Sequence, residues 1–476
     1  MTLNPKQKQA DNTSASSGSL WHPTKLDNKL PPYLSLVQAL STDIESGRLR
    51  PGDRLPPHRD LARDLGLSIG TVSKAYREAQ SRGYLSSHVG QGTFAIGKAA
   101  PKPPLARNAD FINLGLNQPP RHSQLETLQR AMQETLNSPY LEELFAYHQH
   151  QGRPEHREVI AGWMARQSFK PSPDQLIICN GAQHAIDIAI RLSTKPGQSV
   201  ATDALTYFGF KAVADVNNIG LTGIAMDAQG MLPEALDEAC GAYDIHCVYL
   251  MPTLQTPTAR TMSEARRRAI AKVAERHRLM IIEDNVYGFF AETAPISFAE
   301  LLPDQTIYIE SFSKCLLPAF RVGMAVIPPA LMDRAILFLH ATSWMSSSFL
   351  VEAASRMIKS GALQDVIAAS RTEARARYKI FQEELSGHVR EELPNPSPGN
   401  HVWLNLGEDW TSASFYFAAH SNGILVSPPD SVNATLAPLG VRLCLGGVDR
   451  HEDLRLSLRK LRSIMETPSS SIVSFV

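Results

Sequence analysis

Short apolar segments alternate with amphipathic stretches over residues 111–465, and this alternation limits the fold more than any other property of the chain. The segments are QLIICN, SVATD, IHCVYLM, LMIIED, QTIYIES and RVGMAVI. They are rich in β-branched residues and nearly continuous in apolar character, which is typical of strands covered on both faces by helices. We therefore predict an α/β domain with a largely parallel sheet.

The rest of the chain divides into four further parts. Residues 1–29 are rich in polar residues and poor in large apolar ones, which predicts a flexible arm. Residues 30–97 form a turn-rich block that we expect to fold as an α+β domain. The segment KAAPKPPLARNAD, residues 98–110, contains three prolines and predicts a short, semi-rigid linker. We expect residues 466–476 to form a poorly ordered tail.

The composition excludes several classes of protein. Lys and Arg together number 47, as do Asp and Glu, so the formal net charge of zero excludes a wholly basic nucleic-acid binder. The five cysteines form no C-x-x-C pair, which argues against a disulfide framework and a zinc site, so we expect no metal. Neither an apolar run of about 18 residues nor a secretory signal is present. We therefore expect a cytoplasmic protein without membrane contact.

The segment LARDLGLSIGTVSKAYREAQSRGYL has the spacing of a helix–turn–helix. Ala62 is small where two helices approach closely, Gly66 can adopt the left-handed turn conformation, and Val72 returns to the core. A serine can cap the second helix, whose first turn would enter the major groove of DNA. The candidate DNA-binding residues in that turn are Ser68, Ile69, Gly70, Thr71, Ser73 and Lys74.

The segment that follows, YLSSHVGQGTFAI, predicts a hairpin wing around Gly90 and Gly92. Residues 29–97 carry nine Lys and Arg against six Asp and Glu, which leaves this block with a net positive charge. Basic side chains on the two helices and beyond are candidate phosphate contacts: Arg59, Arg63, Lys74, Arg77 and Arg82. An equally ordinary interpretation is that they form the solvated face of a small helical domain.

This block resembles the winged helix–turn–helix domain of the GntR family of bacterial regulators. The family pattern is matched by Gly52-Asp53, Leu55-Pro56, Arg59, Leu61-Ala62, Leu65-Gly66, Thr71-Val72, Ala75-Tyr76 and Gly90-Gln91-Gly92-Thr93. The resemblance implies binding to a double-stranded DNA operator. One departure is Ile69-Gly70, where the family often has Arg followed by Asn or Thr. Ile69 is instead suited to contact a thymine methyl group, so the operator preference of relatives does not transfer.

Lys314 lies in the segment ESFSKCLLPAFRVG, directly after a predicted strand. A lysine that forms an imine must be partly deprotonated, a state that burial and nearby cations favour. Ser311, Ser313 and Arg321 surround the same turn and would suit a phosphate dianion. A lysine near an arginine, taken alone, is more often a surface residue.

Two upstream motifs would complete such a site. The strand LMIIED ends at Asp284, whose carboxylate can pair with a protonated pyridine nitrogen, and Tyr287 can hydrogen-bond a ring oxygen. In IICNGAQHAIDIAI, Ala182 and Gln183 begin a predicted helix, where backbone N–H groups bind anions. Each motif alone is more often structural. Their order and spacing together favour a cofactor site.

Residues 111–465 resemble the fold-type I aminotransferases, with a large and a small domain, and their fusion to a GntR-type head resembles the MocR/GabR-type regulators. The resemblance implies the cofactor pyridoxal 5'-phosphate. Lys314 would be the Schiff-base lysine, Asp284 would pair with the pyridine nitrogen, and Tyr287 would bond the ring hydroxyl. The implied phosphate contacts are Ser311, Ser313, Arg321, Ala182 and Gln183.

The same resemblance assigns five more residues. Tyr207 would stack on the cofactor ring, and Tyr147 would reach the phosphate of the neighbouring subunit's cofactor, which implies a homodimer. Arg442 would clamp an amino-acid carboxylate, and Gly115 would lie in a loop near the ligand. Thr256, in PTLQTPTA, replaces the asparagine that usually bonds the ring oxygen. We expect cofactor binding to survive this replacement, which weakens the case for transamination.

Together these features predict a transcriptional regulator that binds an operator and carries pyridoxal phosphate on Lys314. It would sense a small amine or amino acid by imine exchange at that lysine. Two alternatives stay open: an active aminotransferase with an appended DNA-binding domain, and a regulator for which the cofactor itself is the signal.

Overall fold

The computed structural model of the chain has two compact units, Met1–Ala109 and Asp110–Val476. The residues that it describes are 21–23, 26, 30–46, 48–49, 53–81, 84–88, 92–95, 111–120, 124–165, 169–292, 295–385, 398–407, 409–427 and 440–467. Most of the predicted arm and tail, the whole predicted linker (98–110), Arg82 and the wing turn at Gly90 lie outside these residues.

Among its described residues, the first unit has three helices followed by an antiparallel hairpin. These elements are α1 (Pro32–Glu45), α2 (His58–Leu65), α3 (Ile69–Ser81), β1 (Leu85–His88) and β2 (Gly92–Ala95). Helix α2 ends at Gly66, whose φ of +63° lies in the left-handed region that glycine adopts without strain. Ser68 accepts a hydrogen bond from the backbone N–H of Thr71 at 3.1 Å and so caps α3. The predicted helix–turn–helix and wing are therefore present.

The core of this unit is a single apolar cluster that contains the buried side chains Leu61, Ala62, Val72, Ala75 and Tyr76. Trp21 is buried in the same cluster, and its Nε1 donates a hydrogen bond to Asp43 Oδ2 at 2.8 Å. The structure departs from the predicted arm at this residue. The reason is that the indole has a large apolar surface to bury and a carboxylate to pair with.

The second unit is a three-layer α/β structure with a smaller lobe. Its strands are β3 (Ile112–Asn113), β4 (Leu176–Cys179), β5 (Ser199–Asp203), β6 (Gly220–Ile224), β7 (Met226–Asp227), β8 (Gly230–Met231), β9 (Ile245–Leu250), β10 (Met280–Asp284), β11 (Thr306–Ser311), β12 (Gly323–Val326), β13 (His401–Asn405), β14 (Ile424–Leu425) and β15 (Gly440–Cys444). Its helices are α4 (Gln124–Leu136), α5 (Leu141–Phe145), α6 (Pro154–Met164), α7 (Ala182–Ser193), α8 (Phe208–Val216), α9 (Pro233–Ala242), α10 (Glu264–His277), α11 (Phe298–Leu301), α12 (Met332–Ser343), α13 (Ser348–Ser360), α14 (Ala362–Glu384), α15 (Ser412–Ser421) and α16 (His451–Met465).

The central sheet has the strand order β4–β12–β11–β10–β9–β5–β6. All its strands run parallel except β12, which is antiparallel to both neighbours. The six predicted strands are present; β6 was missed because its sequence, GLTGI, has two glycines and is mostly not buried. Because parallel strands end at the same edge of a sheet, Cys179, Asp203, Asp284 and Ser311 lie along one edge.

Helices cover both faces of the sheet. Side chains alternate along each strand, so Tyr249 and Ile282 face the cluster that contains helix α7, while Val248 and Ile281 face the cluster that contains α10. Helix α7 packs across β10, β11 and β12. This packing holds the N-terminus of α7 beside the strand ends that carry the candidate site.

The smaller lobe is built on the antiparallel pair β13 and β15, in which His401 lies opposite Cys444 and Trp403 opposite Arg442. Helices α14, α15 and α16 enclose a separate apolar core around this pair. Arg377 of α14 is almost fully buried and donates hydrogen bonds to backbone carbonyls that follow β15. These bonds fix the long helix α14 to the end of strand β15.

Gly323 of β12 lies where the chain passes closest to the turn before α7. A Cβ atom at this position would lie 2.5 Å from the carbonyl carbon of Gly181, and backbone cannot move aside. We expect Gly323→Ala to lower the free energy of unfolding by about 1–3 kcal/mol, through overpacking. Gly162→Ala is the control, since a Cβ there meets nothing within 4 Å on helix α6. It should raise stability by about 0.5–1 kcal/mol in the same urea titrations. Equal effects of the two substitutions would contradict this account.

Candidate functional site

The Lys314 side chain lies just beyond strand β11, at the sheet edge where the parallel strands end. Its Nζ donates a hydrogen bond to the backbone carbonyl of Asn117 at 2.8 Å. Burial and, next in importance, the nearby Arg442 cation lower the pKa of the Lys314 amine to about 8. An appreciable fraction of the amine is therefore neutral near neutral pH, and the neutral amine is the nucleophilic form.

The Asp284 carboxyl group ends strand β10 and is buried. Burial raises its pKa to about 6, against the opposing effect of a hydrogen bond from Tyr249. The Tyr249 hydroxyl donates to Asp284 Oδ2 at 2.7 Å, and its ring stacks on Phe210 with the ring centroids 3.8 Å apart. Tyr249 was not predicted as a site residue. Its signal was a tyrosine within the apolar run CVYLM, since a buried phenol needs a polar partner.

Tyr287 is buried three residues after Asp284. Its hydroxyl accepts a hydrogen bond from Asn117 Nδ2 at 2.6 Å. Asn117 therefore contacts two predicted site residues, Tyr287 through its side chain and Lys314 through its carbonyl. Gly115 of the same segment, INLGLNQP, was predicted as a site residue but Asn117 was not, because spacing along the chain does not show which side chain points inward.

The turn before helix α7 and the Arg321 side chain form a positively charged cradle. Arg321 Nη2 donates to the carbonyl of Asn180 at 2.9 Å, and a Cβ on Gly181 would lie 2.5 Å from the same nitrogen. Gly181 has a φ of +81°, so it has both the backbone conformation and the absence of a side chain that this close approach requires. The backbone N–H groups of Ala182 and Gln183 begin the helix beside this guanidinium, which is a favourable setting for an anion.

Two serines continue this cradle from the end of strand β11. The Ser311 and Ser313 hydroxyl oxygens are 3.0 Å apart, and the Ser313 backbone N–H donates to Ser311 Oγ at 3.1 Å. The side chain of Gln183 makes hydrogen bonds away from this cradle. It donates to the Gly209 carbonyl at 2.7 Å and accepts from the Tyr207 hydroxyl at 3.2 Å. Any anion contact of Gln183 would therefore come from its backbone.

Three other predicted site residues differ in their exposure to solvent. Tyr207 precedes helix α8, and burial raises its pKa to about 12, with a further contribution from the charge of Asp284. Thr256 is buried just before a cis peptide bond to Pro257. Tyr147 is 82% exposed, with its ring 5.8 Å from that of Trp344. Within the single chain it is not brought into the Lys314 cluster.

Arg442 of strand β15 forms the wall of the site on the side of the smaller lobe. It is buried, and its Nη2 donates to the Gly115 carbonyl at 2.9 Å. Its Nε is buried without a partner among the described residues. On the facing strand β13, the ring of His401 lies 5.0 Å from the ring of Tyr287. His401 was not predicted as a site residue, because a histidine in a strand is more often an ordinary core residue.

The side chains around Lys314 fit a flat ring with an anionic group at one end and a basic nitrogen at the other. The cradle at Gly181 and Arg321 supplies donors for the anion, and the strand-end carboxylate of Asp284 can face the nitrogen. Lys314 follows strand β11, which lies between β10 and β12 in the sheet. Its charge lowers the pKa of Asp284, and the charge of Arg321 lowers the pKa of Lys314. Among the described residues, no group of acidic, histidine or cysteine side chains could hold a metal ion.

In the first unit, the start of helix α3 is exposed as predicted for a groove-reading turn. Ile69 is 50% exposed, and Ser68, Gly70 and Arg59 are also exposed. Two predicted contacts are engaged within the unit. The Lys74 ammonium lies 4.0 Å from the ring centroid of Tyr33, and Ser73 Oγ is 3.0 Å from His58 Nδ1. Gly92 begins the second strand of the wing and Thr71 is half-buried in the cap of α3.

Comparison with known families agrees with both units. A family model described as aminotransferase class I and II matches residues 109–456. The chain belongs to this family. A second model, for bacterial regulatory proteins of the gntR family, matches residues 32–95. The protein is therefore a GntR-type regulator fused to an aminotransferase-like domain, as the sequence analysis predicted. Within the described residues, no helix is both long and apolar enough to cross a bilayer.

Two curated relatives match nearly the whole chain, and a solved structure matches most of it. The HTH-type transcriptional regulator YdeF of Bacillus subtilis, itself uncharacterized, is 28% identical over 94% of this chain and 97% of its own length. A probable rhizopine catabolism regulatory protein of Rhizobium meliloti, MocR, is 26% identical over 94% of this chain and 96% of its own. The α-aminoadipate aminotransferase LysN of Thermus thermophilus, solved with N-(5'-phosphopyridoxyl)-L-leucine, shares the fold, with a TM-score of 0.69 and 20% identity over 77% of this chain and 94% of its own.

The raised pKa of Asp284 generates a prediction about stability. The folded, cofactor-free protein holds a proton on Asp284 that the unfolded chain releases, so this contribution to stability is complete below pH 4 and is lost as the pH rises through about 6. Relative to Asp284→Asn, wild-type stability should fall by roughly 1 kcal/mol between pH 5 and pH 7. Urea unfolding across this range measures the difference. The control Asp304→Asn, at an exposed aspartate, should show no such trend. A pH-independent difference for Asp284→Asn would refute the assignment.

Proposed function

We propose that this protein is a DNA-binding regulator that carries pyridoxal phosphate on Lys314 and senses an amine or amino acid there by imine exchange. The observation that carries the proposal is the Lys314 amine, poised near pKa 8, between a buried carboxyl group and a positive cradle. The adduct named for LysN shows that this fold can hold a phosphopyridoxyl amino acid in that relative.

Different residues of the site would bind different parts of the cofactor. Arg321, the two serines and the N-terminus of α7 would bind its phosphate, and Asp284 would face its pyridine nitrogen. The Tyr287 hydroxyl, oriented by Asn117, would bond the ring oxygen, with Thr256 beside it. Tyr207 would lie against the ring. When bound, the cofactor supplies an aldehyde that condenses with amines and a ring that withdraws electrons.

Two protons are controlled by the protein itself. Lys314 Nζ can give up its proton near neutral pH because burial and the Arg442 cation disfavour the ammonium form. Asp284, whose carboxylate accepts the Tyr249 hydrogen bond, can retain negative charge opposite a protonated nitrogen. Arg442 is available to bind the carboxylate of an amino-acid effector through its unpartnered Nε.

The two cations that an effector complex would occupy both hold the segment that follows the predicted linker. Lys314 donates to the Asn117 carbonyl at 2.8 Å, and Arg442 donates to the Gly115 carbonyl at 2.9 Å. Engagement of Lys314 by the aldehyde and of Arg442 by a carboxylate would compete with both bonds. The segment 111–120, directly after the linker in sequence, is therefore the part of this unit best placed to report occupancy to the head.

The same cluster also favours the second candidate function, an active aminotransferase. Lys314, Asp284, Tyr287 and Arg442 are brought together as an amino-acid transaminase would need. Repeated turnover with an amino donor and a keto acid would favour the enzyme. A single visible absorbance change without turnover would favour the regulator.

Loading of the cofactor on Lys314 is the direct test of the site. Apo protein mixed with pyridoxal phosphate should develop the visible absorbance of an internal imine, at a rate that rises with pH around a midpoint of about 8. Arg442→Gln should move the midpoint to higher pH, because loss of a nearby cation raises the pKa of the amine. Arg450→Gln, at an exposed arginine, should not.

Lys314→Ala should form no such band, whereas Lys359→Ala, at an exposed lysine, should load normally. With a DNA fragment obtained by in vitro selection, Lys314→Ala should keep basal binding and lose every response to added amines. A ligand response that survives in Lys314→Ala would reject the proposed sensing mechanism.

DNA contact by the head can be tested without knowledge of the operator. Arg59 is exposed, so Arg59→Gln should weaken binding to a random-sequence duplex and make the slope of log K against log salt shallower by about 0.9, one phosphate contact. Fluorescence anisotropy between 50 and 200 mM salt measures the slope, with Lys359→Gln as the control. An unchanged slope would remove Arg59 from the interface.

A further inference from the structure

His401 adds a polar surface to the Lys314 site that the proposed function leaves without a role. It begins strand β13, is fully buried, and lies opposite Cys444 of β15. Directly opposed residues of an antiparallel pair, and every second residue along it, share one face of the sheet. His401 therefore shares a face with Arg442, two residues before Cys444, and its ring lies 5.0 Å from the ring of Tyr287.

The hydrogen bonds of the ring determine which nitrogen carries the proton. His401 Nε2 is 3.2 Å from the backbone carbonyl of Gln255, and a carbonyl oxygen can only accept, so the proton is on Nε2. Burial, with the cations Arg442 and Lys314 nearby, lowers the pKa of His401 to about 3. The ring is neutral, and its Nδ1 has a free lone pair that can only accept a hydrogen bond.

That lone pair has no donor among the described residues, and it is buried. Other polar atoms at the site, among the described residues, are also buried without a partner. The Nε of Arg442, which shares a face of the strand pair with His401, is one of them. Asn117, which holds Tyr287 from the other side, has an unpartnered Oδ1. Buried polar groups are nearly always hydrogen-bonded, so this concentration indicates a surface completed by a polar ligand.

The charges around His401 restrict that ligand further. Arg442 and Lys314 both act on the ring, and the same positive field opposes a cationic group on the ligand side chain. A carboxylate side chain would bring no hydrogen for Nδ1 to accept. A neutral hydroxyl or carboxamide brings a donor without a charge. An apolar side chain would leave His401 Nδ1 without a hydrogen bond, and a site built for hydrogen bonding rejects such a ligand.

We propose that His401 Nδ1 accepts a hydrogen bond from the side chain of the effector, and that the effector is an amino acid with a neutral hydroxyl or carboxamide side chain. This inference rests on the proposed function, since it takes the ligand amine to be at Lys314 and its carboxylate at Arg442. It adds the class of side chain, which neither of those two residues selects.

The test uses full-length protein loaded with pyridoxal phosphate and two pairs of amino acids matched in shape, L-threonine with L-valine and L-asparagine with L-leucine. Titration of the visible absorbance gives a Kd for each. In the wild type, the polar member of at least one pair should bind about tenfold more tightly than its apolar match. L-Lysine and L-aspartate should bind more weakly than that polar amino acid.

Two variants assign the preference to Nδ1. His401→Phe keeps a ring against Tyr287 but has no nitrogen, and the preference should fall to within about twofold. His401→Asn places a polar atom near the position of Nδ1 and should restore much of it. His246→Phe, at an exposed histidine of strand β9, should leave the preference intact. The visible band of each loaded variant reports that its site is formed, and if His401→Phe fails to load, the comparison of His401→Asn with His401→Leu takes its place.

The outcomes separate this inference from the proposed function. If the wild type never forms the visible band, the proposed function fails. If it loads and responds to amines but binds both members of each pair alike, the role of His401 is overturned while the regulator stands. The same holds if a variant without a polar atom at position 401 keeps the full preference, because another group would then recognise the polar side chain.

Discussion

The site depends on a lysine that is buried among cations, and the rest of the fold provides that environment. Lys314 follows a fully buried strand, so its side chain begins where the sheet ends, and Arg442 reaches the same place from the smaller lobe. Burial and positive charge both disfavour the ammonium ion, and they lower its pKa to about 8. A surface lysine would stay fully protonated at neutral pH and would be a poor nucleophile for an aldehyde.

Burial has the opposite effect on the acid at the neighbouring strand end, and hydrogen bonding moderates it. Asp284 is buried as deeply as the core around it, which raises its pKa, but the Tyr249 hydroxyl stabilises its charged form. The pKa of the amine therefore lies slightly above neutral pH, and the pKa of the carboxyl group lies slightly below it. Tyr249 is itself held by face-to-face stacking on Phe210, so the tuning of the acid extends into the layer of helices.

The segment around Asn117 contacts three residues of the candidate site. Its carbonyls bind Lys314 and, through Gly115, Arg442, while its amide orients Tyr287. A ligand that engages Lys314 and Arg442 would compete with the hydrogen bonds that hold this segment, so its binding would affect the segment. Its position immediately after the predicted linker makes it a candidate for the proposed coupling, whereas proximity in space alone would be only an association.

Several parts of the fold and the site were predictable because they depend on local pattern. Continuous apolar segments identified the buried strands, and Gly66 and Ser68 marked the turn of the helix–turn–helix through backbone conformation and capping. Strand β6 was not predicted, because it is exposed at the edge of the sheet and lacks a continuous apolar pattern. The burial of Trp21 was not predicted, because its hydrogen-bond partner Asp43 is 22 residues away and no regular sequence spacing relates the two.

The amino-acid sequence alone determined the fold class, and it predicted which residues would be the amine, the acid and the cradle of the candidate site, because these follow from residue type and short spacing. Only the tertiary structure decided that Asn117 joins Lys314 to Tyr287, that Tyr249 bonds Asp284, and that His401 faces the site with a bare nitrogen. Those contacts join residues 35 to 197 positions apart. Their distances and the protonation of buried groups depend on packing in three dimensions, which no local pattern contains.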